Sequence, residues 1–128
     1  MANGTIAFDT LSTSGQISGT AVSVDADYLA YGAGKVWWSI ITDGSGFHGS
    51  FNTTSLTDNG TGDYTITFNN DMANDNYSFP VGTVNTTAND VSIVNSRQTG
   101  LMQQKTITAN SGSVVDSQPC CTIAGELA

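Results

Sequence analysis

Basic residues are nearly absent from this sequence: Lys35, Arg97 and Lys105 are its only three, against 11 acidic residues. A phosphate backbone is held by clustered Lys and Arg that displace its counterions, and three scattered cations form no cluster. With a formal net charge of −8, neither nucleic acid nor an anionic lipid surface is an expected partner. The acidic balance supports solubility instead. Long apolar runs are missing as well. None approaches the roughly 18 residues a spanning helix requires, so no membrane insertion is expected. The opening MANGTIAF has no basic region followed by an apolar stretch, and no signal peptide is expected from it.

Histidine is scarce. His48 is the single one, which rules out a His-rich zinc site, and no Gly-x-Ser-x-Gly elbow sets a nucleophile beside it. The carboxylate pairs Asp25/Asp27, Asp58/Asp63 and Asp71/Asp75 fall in turn-like sequence, where carboxylates commonly cap local backbone amides. The hexamer Asp58-Asn59-Gly60-Thr61-Gly62-Asp63 lacks the residue order of a Ca²⁺ loop and its distant Glu. The chain is therefore not expected to be an enzyme, and neither a metal nor another cofactor is expected. The two cysteines are adjacent, Cys120-Cys121. A vicinal disulfide closes a strained ring, so free thiols are expected, with interchain disulfides as the alternative.

What is abundant is small and polar. Gly, Ser, Thr and Asn make up a little under half of the chain, and charged residues only 11%. Strong helix formers are few, whereas strands accept Thr and Val and turns use Gly, Asn and Ser. Hydrophobic residues still reach 38%, enough for a core. The expectation is one all-β domain over residues 1–128, with 1–20 as a candidate extended N-terminal arm. Strands are predicted near Thr5–Phe8, Val22–Val24, Lys35–Ile41, Phe51–Leu56, Tyr64–Asn69, Tyr77–Val81, Val91–Asn95, Lys105–Ala109 and Thr122–Ala124. Their spacing of roughly 10 to 15 residues, with turn signals between, is that of an antiparallel β-sandwich of jelly-roll or lectin-like type.

Two segments carry more than fold. In Lys35–Ile41, Val36, Trp38 and Ile40 share one face while Trp37 and Ile41 take the other. A strand apolar on both faces needs cover on both, since a buried aromatic removes roughly 150–250 Å² from solvent. That cover is either intrachain core or an oligomer interface, which makes Trp37 and Ile41 candidate interface residues. Elsewhere, Tyr28-Leu29-Ala30-Tyr31-Gly32 and Gly46-Phe47-His48-Gly49 set aromatics among loop residues. Tyr28, Tyr31, Phe47 and His48 are the candidate contacts to a ligand or receptor.

The stretch Ser50 to Phe68, SFNTTSLTDNGTGDYTITF, is the most specific in wording. Tyr64, Ile66 and Phe68 alternate with Thr65 and Thr67, and the Asn/Gly-rich hexamer can reverse the chain before them, so a β-hairpin is predicted. With Lys35-Val36-Trp37 before it and Met72 and Asn76-Tyr77 after it, the stretch resembles segments of short tail-fibre and other virion proteins of marine bacteriophages. The opening Gly4 to Leu11 and the closing Gly125-Glu126-Leu127-Ala128 resemble the same group. The resemblance implies a virion structural protein made in the host cytoplasm and assembled as a homotrimer beside other virion proteins. It implies a tail-fibre, receptor-binding module touching a host-surface glycan or protein. The alternative is a capsid decoration (cement) protein that stabilises the phage head.

Overall fold

In the computed structural model, residues 16–18, 23–25, 32–84 and 89–128 are described. The ten elements among them are all strands. A short antiparallel pair, β1 (Gln16–Ser18) and β2 (Ser23–Asp25), stands as its own sheet. The remaining eight form two four-stranded antiparallel sheets. The first has the order β4-β3-β10-β7, built from β3 (Gly34–Ile40), β4 (Phe47–Phe51), β7 (Val81–Val84) and β10 (Gln118–Ala124). The second has the order β5-β6-β9-β8, from β5 (Thr53–Gly60), β6 (Asp63–Phe68), β8 (Asp90–Gln98) and β9 (Leu101–Thr108).

Period-2 alternation explains the core. β3 turns Val36, Trp38 and Ile40 inward, and β10 turns Pro119, Cys121 and Ile123 inward. From the second sheet, Tyr64, Ile66 and Phe68 of β6 meet them together with Met102, Gln104 and Thr106 of β9. All twelve are buried, and Met72 and Tyr77 close the end of this layer. Two packed antiparallel sheets with one apolar filling are a β-sandwich, the fold expected from composition and spacing.

The chain crosses between the sheets at Asn52, the single residue between β4 and β5. Its φ of 57° is left-handed, which Asn tolerates better than most residues because its short amide can bond locally. Asn52 Oδ1 accepts hydrogen bonds from both the backbone N and Nδ2 of Asn70, each at 2.9 Å. Asn52 Nδ2 returns a bond to the Asn70 carbonyl at 3.3 Å. The amide pair locks the corner.

Several predicted boundaries differ. The strand predicted over Phe51–Leu56 is broken at Asn52 between β4 and β5, β9 begins at Leu101 rather than Lys105, and β10 begins at Gln118 rather than Thr122. The hairpin turn is tighter than the hexamer suggested: β5 runs on to Gly60 through an irregular register between Asp58 and Gly60. Only Thr61 and Gly62 lie between it and β6. The strand predicted over Tyr77–Val81 instead spans Val81–Val84, with Ser78 making only an isolated bridge to Ala124. Pro80 offers no N–H to a ladder, so regular pairing begins after it. The predicted strand Thr5–Phe8 and the candidate arm lie outside the described residues, apart from the three residues of β1.

Candidate functional site

Charge divides the molecule. The four strands of the first sheet read GKVWWSI, FHGSF, VGTV and QPCCTIA and contain no carboxylate. The second sheet carries Asp58, Asp63 and Asp90 within its strands. At one end of the sandwich, Tyr64 Oη donates toward Asp116 Oδ1 at 3.3 Å and the Thr42 carbonyl at 3.2 Å. Burial, then the negative charges of Asp116, Asp58 and Asp43, push the Tyr64 phenol well above its ordinary range. Each carboxylate already serves the backbone: Asp116 accepts from Gly62 N at 2.7 Å, Asp58 from Gly60 N at 2.8 Å and Asp43 from Ser45 N at 3.0 Å. Among the described residues, no group of three or more acidic, His or Cys side chains is placed to hold a metal ion.

The outer face of the second sheet is polar around Asp63 on β6 and β9 and apolar toward β8, where Val91 and Ile93 are exposed opposite Ile107 and Lys105. Partial burial pushes the Asp63 carboxyl up, but bonds from Gln103, Lys105 and Asn59 outweigh it and hold the group below its usual value. The donors stand at 2.8 Å for Gln103, 3.1 Å for Lys105 and 3.2 Å for Asn59. Asn95 extends this ladder to Gln103 at 2.8 Å. The polar groups of this ladder satisfy one another.

The outer face of the acid-free sheet is different. Trp37 and Phe51 are directly opposed across β3 and β4 and are 42% and 56% exposed. The Trp37 indole lies over Gly49, where an added Cβ would stand 3.3 Å from its ring. Across β10, a shallow groove is lined by Trp37, Ser39, Gly82, Cys120 and Thr122, with Val84 60% exposed on β7. Beyond Phe51, at the Asn52 corner, the surface sinks into a hollow of about 500 Å³ lined by Lys35, Phe51, Asn52, Asn69, Asn70 and Leu127 among others.

The residues singled out from sequence fall as follows. Trp37 is on the exposed face of β3 and Trp38 on the buried one, as their alternation requires. Ile41 is half-buried beyond the end of β3, and its Cδ1 lies over its own turn at Gly46. Phe47 is half-buried and packs against the core, whereas His48 is exposed on the same strand, β4, at the edge of the sheet. Tyr28 and Tyr31 lie outside the described residues. Sequence reasoning missed Phe51 and the Asn52–Asn70 corner. The alternation Gly49-Ser50-Phe51, opposed to Trp37, was the available signal for the first. Nothing local announces the second, because its partners are 18 residues apart.

Both thiols are free, Cys121 buried and Cys120 half-buried. β10 is paired on both sides, so consecutive residues point to opposite faces. That directs Cys121 into the core and Cys120 to the outer groove, away from each other. Among the described residues, no helix is long and apolar enough to cross a membrane. Compared with known proteins, the chain matches no protein family, no curated protein and no solved structure.

Proposed function

We propose that this chain is a bacteriophage virion structural protein, a receptor-binding module of the tail fibre that acts as a homotrimer without catalysis. The observation that carries the reading is the acid-free outer face with Trp37 exposed at its centre. In a molecule of net charge −8, identical subunits repel wherever carboxylates meet. The outer face of β3, β10 and β7 is where that repulsion is least and apolar surface is on offer. Trp37, Gly82, Cys120, Thr122 and Val84 form the self-contact in this reading, and Phe51 stays at its rim. The trimer number and the fibre position rest on the sequence resemblance alone.

The contact with the host then falls to uncharged surface: amides, hydroxyls and isolated aromatics suit a neutral glycan or a protein backbone. Such contacts are weak singly, and three copies on one fibre convert them into avidity. Imaging intact particles labelled with antibody to the protein tests the assignment. Label on tail fibres supports it; label on the head overturns it in favour of the decoration role. Sedimentation of the pure protein tests the assembly, and a monomer at micromolar concentration overturns it. Trp37→Lys should weaken a trimer by on the order of 2–4 kcal/mol per interface if Trp37 is its hot spot.

A further inference from the structure

We infer that the hollow at the Asn52 corner is a binding site for a neutral sugar residue, stacked on Phe51 and hydrogen-bonded by the surrounding amides. The inference takes its ligand source, a host-surface glycan, from the receptor-binding reading. The site itself stands on its own chemistry.

A pyranose presents an apolar face of C–H groups and a rim of hydroxyls that both donate and accept. Phe51 supplies a flat apolar partner, more than half exposed at 56%. Beside it stand the amides of Asn52, Asn69 and Asn70, with Lys35 and Leu127 completing the wall. Amide side chains donate from nitrogen and accept at oxygen, so they can answer a hydroxyl pair in either sense.

The amides of Asn52 and Asn70 are also held in place. Both lone pairs of Asn52 Oδ1 are taken by Asn70, and one Asn52 Nδ2 hydrogen goes to the Asn70 carbonyl. By that count, Asn70 keeps its Oδ1 and one N–H for another partner, and Asn52 keeps one N–H. Asn69 forms a backbone bond to the Asn52 carbonyl at 3.0 Å, which fixes its place on the rim. A site whose polar groups are set before the ligand arrives loses less entropy on binding. The lining contains no carboxylate, but the molecule as a whole is acidic. That overall field disfavours anionic sugars and leaves neutral ones.

The test is an amide-resolved NMR titration of the intact protein with glucose, galactose, mannose and N-acetylglucosamine, each alone, and with glucuronate as the anionic probe. The expected result is saturable shifts of the Asn52, Asn69 and Asn70 side-chain amides with at least one neutral sugar. Phe51→Ala should weaken that binding at least about tenfold, a difference of roughly 1.4 kcal/mol, while leaving the rest of the spectrum in place. Asn69→Ala is the second variant, since it removes a rim amide without touching the Asn52–Asn70 lock. Three results would overturn the site: no saturable shift with any neutral sugar, binding unchanged in both variants, or tighter binding of glucuronate. Failure here with fibres still labelled would sink the site and spare the functional reading. Sugar binding at Phe51 with label confined to the head would do the reverse.

Discussion

The indole Nε1 of Trp38 donates to the side-chain oxygen of Gln104 at 2.8 Å, fully buried between the two sheets. Gln104 passes the connection on, its Nε2 donating to Ser92 Oγ and, at 3.4 Å, to the Cys120 carbonyl. One amide thereby links β3, β8, β9 and β10. A buried polar group is tolerated only when it is satisfied, and here the indole and the amide answer each other.

Gln104→Leu should therefore destabilise the fold by about 1–3 kcal/mol, because it strands the Trp38 N–H without water or partner. Trp38→Phe strands the amide oxygen and also leaves a cavity. Combining the two should cost less than the sum of the single changes, with a coupling of roughly 1 kcal/mol in urea unfolding. Simple additivity would mean that the bond contributes nothing.

Gly62→Ala should be far worse than its size suggests. Gly62 has φ of 61°, and an added Cβ would lie 2.5 Å from the Val115 carbonyl oxygen and 2.8 Å from that of Thr106. Left-handed strain and overpacking together should cost roughly 2–5 kcal/mol. Gly60→Ala is the control. Its φ of 122° is also strained, but nothing stands within 4 Å of the new atom. Thermal unfolding should rank Gly62→Ala clearly below Gly60→Ala.

Stability should fall in alkali. Burial raises the Cys121 thiol from 9.0 to about 12 and the Tyr77 phenol from 10.0 to about 12, and Tyr64 is raised in the same sense. All three are neutral when protonated, so the unfolded chain loses their protons first. Their contribution is intact below about pH 9 and is lost as pH climbs toward 12. Urea midpoints measured from neutral pH upward should be flat and then decline. Tyr77→Phe should start lower, having lost the bond its hydroxyl donates to the Gln98 carbonyl at 3.0 Å, and should decline less steeply.

The thiols should react unequally. At about pH 8 a thiol reagent should modify Cys120 in the native protein and reach Cys121 only on unfolding, since reactivity follows thiolate fraction and access. If the groove around Trp37 is the self-contact, Cys120 should slow as protein concentration rises. Equal rates for both thiols would contradict the opposite facing that β10 imposes.

Much of this could be read from one dimension. The alternation in Lys35–Ile41 and Tyr64–Phe68 set which residues point inward, because the two-residue period of a strand is local geometry. Scarcity of helix formers and the regular turn signals gave the all-β class for the same reason. Turn positions were legible less well: the reversal sits at Thr61 and Gly62, where the left-handed Gly62 packs against Val115 and Thr106, and no local pattern carries that contact.

Strand order was decided only in three dimensions. β10, last in the chain, lies between β3 and β7, and its cysteines acquire a buried face and a groove face only through that position. The Trp38–Gln104 bond spans 66 residues and the Asn52–Asn70 lock 18, so neither leaves a trace at short range. The gathering of carboxylates away from one whole sheet has the same origin. Sequence fixes how many charges there are and on which strand each sits. Pairing between distant strands decides which of them become neighbours, and therefore where the acid-free face and the Asn52 hollow lie.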